Sequence, residues 1–422
     1  MPADAHTPDV ARALAGPTWL TGERVAAAER YATADLPTSA LEEWRYSRID
    51  KFDLGRYAPV PAPQAPVASS AAEPLDLGAF SARIVVQNGF VAAIETTEAL
   101  DAAGVIVARA ADLAERPAMT VASHSGGGDT FSELNEAFAP DPVVIIVPRN
   151  TDLAAPIVIA HHVDAEAGLV LPRIVVDAGE NSSVSIVEWL SSAAVDALVI
   201  PRTSLHLAGA ARVNHSSVNN LAESVNQFGA IVASAGQEAT VTMEHVALGG
   251  DFARNRFDCR LVGRGSTGRI SALYLGDRHQ MHDLRTFQNH EARDTSSDLL
   301  FKGAVDGSSH AVYTGLIHVG EGAAGTNANQ TNRVITLSDA ASAESVPNLE
   351  IHHNDVRCSH ATAVGPIDEE QRFYLESRGV PPEHAERLVV NGFFADVLEA
   401  IGNDRVVELV RPLIAAKLEA QS

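Results

Sequence analysis

The pentapeptide Val356-Arg-Cys-Ser-His360 holds the two side chains best suited to metal chemistry. Cys358 and His360 stand two residues apart, so on a β-strand both side chains leave the same face. A thiolate beside an imidazole is a donor pair that suits iron, copper or zinc, and the neighbouring Arg357 favours the thiolate form. The spacing alone leaves two interpretations open, a metal-binding pair and a buried structural cysteine.

The second cysteine and the other histidines indicate packing rather than chemistry. Cys259 shares a strand face with large apolar neighbours, so we expect its thiol to be buried. Ten of the 16 histidines lie between His215 and His360, and two of them, His279 and His282, are three residues apart. That spacing places them on opposite faces of a strand, and a zinc site there needs ligands from elsewhere. We interpret these histidines as hydrogen-bonded or surface side chains.

Motifs for nucleotide and acyl chemistry are missing from the sequence. It has no phosphate loop, no zinc-finger spacing and no Gly-x-Ser-x-Gly elbow. The segment Gly263-Arg-Gly-Ser-Thr-Gly268 satisfies Gly-x-Gly-x-x-Gly, but it leads into strand-like residues instead of a helix, so it predicts a turn. We therefore expect a protein that is not an enzyme in its own right.

Composition narrows the class of partner and the compartment. With 31 basic and 54 acidic residues the net charge is -23, which repels the phosphate backbone of nucleic acids. The stretch Met1 to Thr21 lacks a basic start followed by an apolar run, and two cysteines cannot build a disulfide framework. These features predict a cytoplasmic protein without a nucleic-acid or membrane partner.

The chain divides into three regions with different sequence patterns, and their folds must position Cys358 and His360. Residues 1–140 show a helical and mixed pattern, with a linker rich in proline and alanine at about 58–74. Residues 141–366 consist of short apolar runs divided by Gly, Asn, Asp and Ser, which indicates strands with almost no helix. Residues 367–422 predict three amphipathic helices, the first capped by Asp368 and ended at Gly379.

A repeat in the strand region indicates its architecture. Gly179, Gly209, Gly236 and Gly263 lie 30, 27 and 27 residues apart, and each precedes a strand-like stretch. Such a period is typical of stacked β-solenoid coils, although chance recurrence in a chain rich in Ala and Gly is the alternative. We expect each glycine to supply a positive φ at a corner. The prediction is a mainly β protein with a β-solenoid core and helical regions at both ends.

A longer signature surrounds the cysteine and the histidine. Asn348 to Gly365, followed by Asp368 to Gly379, resembles the SufD-type members of the SufB/SufD family, which serve the SufBCD machinery of iron–sulfur cluster assembly. The resemblance covers most of the chain and is densest from about 280 to 396. Four further segments also resemble the family: Glu42 to Tyr46, Asp283 to Thr286, Gln330 to Arg333 and Val390 to Phe394.

The resemblance implies both a fold and a role. The fold is a right-handed parallel β-helix between helical regions. The role is that of a scaffold, which pairs with a SufB-like subunit through the β-helix and with a SufC-like ATPase through the carboxy-terminal helices. A nascent iron–sulfur cluster would form transiently at the interface with SufB. There His360 would bind iron opposite a SufB cysteine, and Cys358 is the neighbouring family position.

The carboxy-terminal helices supply the candidates for ATPase contact, although several of these apolar side chains also suit the core of the helical unit itself. The candidate residues are Phe373, Leu375, Leu388, Val389, Phe393 and Phe394.

Some alternatives stay open from the sequence. Ala361 follows His360 where the family usually has glycine, which affects the turn that presents the imidazole. A SufB-like paralogue of the same pathway fits the fold, as does a β-helix polysaccharide lyase or hydrolase, although no acidic or basic catalytic cluster is visible. The partner of the β-helix is either a SufB-like subunit or a second copy of the chain. Family members have been linked to reduced flavin, but no residue pattern here indicates a flavin site.

Overall fold

The computed structural model describes residues 6–62, 77–113 and 129–419. The α-helices are α1 (Pro8–Ala13), α2 (Thr18–Thr33), α3 (Glu98–Ala102), α4 (Thr130–Phe138), α5 (Glu369–Ser377), α6 (Pro382–Ala400) and α7 (Asp404–Glu419). The strands are β1 (Ala58–Pro59), β2 (Ala82–Gln87), β3 (Phe90–Thr96), β4 (Ile106–Arg109), β5 (Val143–Val147), β6 (Ile157–Val163), β7 (Gly168–Val170), β8 (Arg173–Ala178), β9 (Ser183–Ser192), β10 (Ala197–Val199), β11 (Arg202–Leu207), β12 (Arg212–Asn220), β13 (Val225–Ala235), β14 (Thr240–Ala247), β15 (Phe252–Leu261), β16 (Thr267–Gly276), β17 (Met281–His290), β18 (Ser296–Val305), β19 (His310–Val319), β20 (Thr326–Thr336), β21 (Ser342–Ile351) and β22 (Val356–Pro366).

Two parallel sheets form a β-solenoid between residues 143 and 366, as the sequence predicts. Sheet A contains β5, β8, β11, β13, β15, β17, β19 and β21, and sheet B contains β6, β9, β12, β14, β16, β18, β20 and β22. The chain passes from one sheet to the other and back, so each turn adds one strand to each sheet, which gives eight turns. Because the ladders stay in parallel register, residues of successive turns form straight columns along the solenoid.

The interior of the solenoid is an apolar core between the inner faces of the two sheets. One inner column of sheet B runs through Met243, Ile270 and Leu299, all buried. Cys259 of sheet A also lies in this core, as expected from its strand pattern, and burial raises the pKa of its thiol to about 12. A thiol so enclosed stays protonated and packs as a small apolar side chain.

The repeated glycines serve a different purpose from the one predicted. At the corners between sheets A and B the positive φ belongs to a nearby residue, such as Asn181 or Glu238, both with φ of 56°. At Gly179, Gly236 and Gly263 a Cβ has no room, whereas at Gly209 it would make only ordinary contact. A Cβ on Gly236 would lie 2.9 Å from the carbonyl oxygen of Leu207 in the preceding turn, and a Cβ on Gly263 would overlap the backbone there. Close stacking of turns, rather than backbone conformation, therefore selects glycine at three of the four positions.

The amino-terminal region is continuous with the solenoid sheets. β2 pairs in parallel with β6 and β3 pairs antiparallel with β2, while β4 pairs antiparallel with β5, so both sheets extend across residue 140. The predicted linker at about 58–74 starts with a short strand, because Ala58–Pro59 pairs with Gly168 and Leu169. Residues 63–74 of that linker lie outside the described residues. Helices α1, α2 and α4 pack on the outer face of sheet A.

The carboxy-terminal helices cover the outer face of sheet B. Their caps agree with the sequence pattern, since the Asp368 carboxylate accepts the N–H groups of residues 370 and 371, and Gly379 has φ of 89°. Two ion pairs anchor these helices on sheet B. Lys417 of α7 pairs with Asp277 at 2.7 Å, and Asp396 of α6 pairs with Lys302 of β18 at 2.6 Å. Within the described residues, no helix has the length and apolar character needed to span a membrane.

Candidate functional site: the open end of the solenoid

The two ends of the solenoid differ in how their strands are covered. At the first end the antiparallel strands β3 and β4 close sheets B and A. At the other end β21 and β22 each pair on one side only within the described part of the chain. Their outer edges therefore present backbone donors and acceptors that another strand is able to bind. We call this region, β21 and β22 with their inner faces, the open end.

Apolar side chains are exposed at the open end because no further turn of the described chain covers them. Leu349 and Ile351 are 40% and 42% exposed, and Val364 is 43% exposed. Their column neighbours one turn earlier, including Ile317 and Val319, are fully buried. Completing the burial of such a half-exposed aliphatic side chain stabilises a complex by about 1 kcal/mol. The open end thus has the character of a solenoid interior exposed to solvent.

Cys358 and His360 both lie on the inner face of β22, as their spacing predicts. Cys358 pairs in register with Ala328 and is half-buried against the small core of the last turns. Burial raises the pKa of its thiol. The expectation that Arg357 favours the thiolate is wrong, because Arg357 belongs to the outer face of the strand and is exposed. The thiol therefore rests in its protonated form.

His360 is exposed and occupies the next inner position of β22. It pairs in register with Gln330, which is buried and whose two amide atoms have no hydrogen-bond partner among the described residues. On the outer face between the two inner residues, the hydroxyl of Ser359 donates to Asn329 Oδ1 at 2.6 Å and fixes the strand. The imidazole is thus held on an ordered strand and reaches the solvent at the open end.

The predicted ATPase-contact residues fall into three groups. Phe373 and Leu388 are exposed, at 71% and 52%. Leu375 and Phe393 are half-buried in a groove of about 1260 Å³ between β22 and helices α5 and α6. Val389 and Phe394 are buried, and Phe394 packs with the apolar side chains between α6, α7 and sheet B.

Two consequences follow for the helical surface. Phe394 is fully buried and is not available to a partner in this conformation, whereas Val389, although mostly buried, lines the groove. Tyr374, which sequence reasoning did not select, is 58% exposed beside Phe373. Helix α5 has no fully buried residue, and its aromatic side chains Phe373 and Tyr374 lie on the surface.

Among the histidines inside the solenoid, His290 is hydrogen-bonded to Thr295 and Ser297, as interpreted from sequence, whereas the ring nitrogens of His282 make no side-chain hydrogen bond among the described residues. His282 is buried, and burial lowers its pKa to about 3. His161 and His215 both contact the buried carboxylate of Glu188, at 3.1 and 3.0 Å. Although burial raises the pKa of Glu188, the hydrogen bonds from the two histidines outweigh it and hold that pKa well below its usual range. Sequence reasoning missed this network because strand alternation does not show which strands are neighbours.

Comparison with known proteins identifies the class to which this fold and open end belong. Residues 161–393 match the model of the SufBD core domain of SUF system FeS cluster assembly, and residues 15–159 match the SufBD protein amino-terminal region. The chain belongs to the SufBD family and is an iron–sulfur cluster assembly protein of the SUF system.

Individual relatives refine the comparison. The chain is similar to the iron–sulfur cluster assembly protein SufD of Escherichia coli, at 27% identity over 91% of this chain and 89% of that protein. A SufBD family protein of Synechocystis is 27% identical over 90% of this chain and 87% of its own length. A SufBD family protein of Mycobacterium tuberculosis is 36% identical over 50% of this chain, and the match spans about half of that protein, 55%.

Proposed function

We propose that this chain is a non-catalytic scaffold subunit whose open end joins a SufB-type subunit and holds a nascent iron–sulfur cluster transiently at the joint. The observation that carries the proposal is the open end itself, where two strand edges without a partner in the described chain, exposed interior side chains and the imidazole of His360 occur together. A second solenoid end would satisfy the backbone edges and bury the apolar side chains in one contact.

The chemistry of the two donors favours His360 over Cys358 as the iron ligand from this chain. Burial keeps the thiol of Cys358 protonated, whereas the exposed imidazole needs no conformational change to reach a metal. Clusters are usually held by thiolates, and histidine is an accepted substitute. Because a neutral ring nitrogen is required, iron binding by His360 weakens at low pH. A single imidazole donated across an interface suits a scaffold that must release its cargo.

A SufC-type ATPase is the proposed partner of the carboxy-terminal helices. Phe373 and Leu388 form the exposed part of the predicted contact, and Tyr374 extends it. The groove between β22 and these helices lies beside the open end, so an ATPase bound at Phe373 and Leu388 would also be close to it. Movement of α5 and α6 by the ATPase is thereby able to reach the strand that carries His360.

Hydrogen–deuterium exchange in the co-purified complex tests the pairing. We expect the amides of 342–366 to exchange more slowly in the complex with SufB-type and SufC-type subunits than in the isolated chain, while the interior strands β14 and β16 stay unchanged. Unchanged exchange at 342–366 contradicts the proposal. Slow exchange already present in the isolated chain, with a dimeric mass, identifies a second copy as the partner in isolation.

Point variants test the helical contact without disturbing the solenoid. Phe373→Asp and Leu388→Asp are expected to reduce SufC capture at least about fivefold, since exposed apolar anchors dominate such contacts. Leu36→Asp, a matched change at a residue 48% exposed in the amino-terminal region, serves as the control. Normal capture by both helical variants ends this part of the proposal.

A further inference from the structure

Three potential metal ligands meet on the outer face of sheet A, at its last two strands. His318 of β19 pairs in register with Glu350 of β21, so the two side chains lie side by side. His352 follows Glu350 by two residues, so its side chain leaves the same face. The backbone N–H of His352 donates to the backbone carbonyl oxygen of Val319 at 2.8 Å. Sequence reasoning did not find this group because the pairing joins residues 32 positions apart.

The geometry of the three side chains already approaches that of a coordination sphere. One ligand atom from each of His318, Glu350 and His352 lies within 4.8 Å of the other two. The Nε2 atom of His352 is 3.0 Å from Oε1 of Glu350, and the two imidazole rings lie 5.5 Å apart at 63°. Ligands of a tetrahedral zinc ion are about 3.3 Å apart, given bonds of about 2.0 Å. Small side-chain rotations therefore close the group around an ion.

We propose that His318, Glu350 and His352 bind a divalent transition-metal ion, with two imidazole nitrogens and one carboxylate oxygen as protein ligands. This donor set suits zinc and iron(II), and a three-ligand site leaves coordination positions open to water. The net charge of -23 concentrates cations near the protein. Two of the three ligands stand on strands at adjacent ladder positions, so the backbone needs no rearrangement for them to meet.

The surroundings of Glu350 favour its role as a ligand. Carboxyl groups are ionised at neutral pH, and Oε1 of Glu350 already lies 3.0 Å from Nε2 of His352. Glu350 and His352 are exposed and His318 is half-buried, which leaves a path for the ion to enter.

The proposed metal site formed by His318, Glu350 and His352 is separate from the inner face that carries His360. It belongs to the outer face of sheet A, whereas His360 stands on the inner face of sheet B. The inference does not rest on the proposed role of His360, and its test needs no partner subunit.

Zinc titration of the full chain, followed by calorimetry, tests the proposal. We expect one equivalent of Zn²⁺ to bind more tightly than the scattered histidines do, and His318→Ala and His352→Ala each to weaken that equivalent by about tenfold or more. Glu350→Gln is expected to weaken it severalfold. With Co²⁺ as probe, the same variants should lose the visible absorption of the bound ion. Circular dichroism confirms that each variant is folded.

Two matched controls separate the site from unspecific histidine binding. His353→Ala removes the adjacent imidazole, whose Nδ1 accepts the N–H of Asp355 at 3.1 Å, and His360→Ala removes the imidazole of the open end. Both are expected to keep the tight equivalent. A missing tight equivalent in the parent chain, unchanged affinity in His318→Ala, or an equal loss in His353→Ala overturns the proposal.

Discussion

His360 lies directly beside Gln330 in the parallel ladder of sheet B, so an exposed imidazole stands next to a buried amide. Both side chains belong to the inner face, one on the last turn and one on the turn before it. Neither amide atom of Gln330 has a hydrogen-bond partner among the described residues. The open end therefore carries an unpaired donor and acceptor beside the proposed iron ligand.

The unpaired amide predicts an unusual effect on stability. A buried amide without partners costs about 1–3 kcal/mol, so Gln330→Met is expected to leave the free energy of unfolding unchanged or to raise it by about 1 kcal/mol. Gln288→Met is the control: Gln288 Nε2 donates to Ser297 Oγ at 2.8 Å and to the carbonyl oxygen of Asn329 at 3.2 Å, while its Oε1 has no partner among the described residues, so the loss of the two hydrogen bonds should cost about 1–3 kcal/mol. Chemical denaturation measures both. Equal destabilisation by the two variants contradicts the prediction.

The exposed apolar residues on the inner face of the open end predict which substitutions weaken binding of the SufB-type subunit. Ile351→Asp places a charge where a partner would bury an aliphatic side chain, so we expect at least about tenfold weaker capture of the SufB-type subunit. Val262→Asp is the matched control, since Val262 is 40% exposed at a corner between β15 and β16. Sedimentation of the mixtures gives both affinities, and equal affinity for the two variants argues against an interface at the open end.

Buried neutral histidines predict that stability falls in mild acid. Burial lowers the pKa of His282 to about 3 and that of His290 to about 4. In the unfolded chain a histidine has a pKa of about 6.5. Below that pH the unfolded chain binds protons that the folded chain does not, so the free energy of unfolding decreases as the pH is lowered towards the pKa of the folded state. Each buried neutral histidine of this kind lowers the free energy of unfolding by about 1.4 kcal/mol when the pH falls from 7.5 to 5.5.

A pair of variants isolates this effect from the rest of the titration. His282→Gln should reduce the difference in unfolding free energy between pH 7.5 and 5.5 by about 1.4 kcal/mol. His279→Gln changes an exposed histidine, whose Nδ1 is 2.6 Å from Ser308 Oγ, and should leave the difference nearly unchanged. An unaltered pH dependence in His282→Gln shows that this imidazole is not neutral when buried.

Close stacking of the turns predicts opposite outcomes for two glycines of the same repeat. A Cβ on Gly263 would overlap the backbone at Gln237, so Gly263→Ala is expected to cost about 1–3 kcal/mol or more. At Gly209 the nearest atom to an added Cβ is 3.6 Å away, and Gly209→Ala should be close to neutral. Thermal unfolding compares them, and equal tolerance at both sites means that the turns are not stacked so closely.

The sequence predicts the solenoid because periodic strands and turn residues are local signals, and it places Cys358 and His360 on one face because strand alternation is local too. It does not predict that the repeat glycines are selected for the missing Cβ rather than for a positive φ, since the contact that excludes a Cβ at Gly236 comes from the preceding turn. For the same reason it cannot find the pairing of His318 with Glu350, which depends on ladder register. Helical periodicity marks Phe394 as apolar, but only the packing on sheet B shows that it is buried.

Iron and acid-labile sulfide in the anaerobically reconstituted complex test the central claim most directly. With His360→Ala we expect the complex with the SufB-type and SufC-type subunits to assemble at the parent stoichiometry, while its cluster content falls by about tenfold or more, because even an outer-shell partner of a metal ligand contributes about 10–100-fold. His353→Ala, an imidazole removed outside β22, should keep the parent content. A His360→Ala complex that builds and retains clusters at the parent rate contradicts the account.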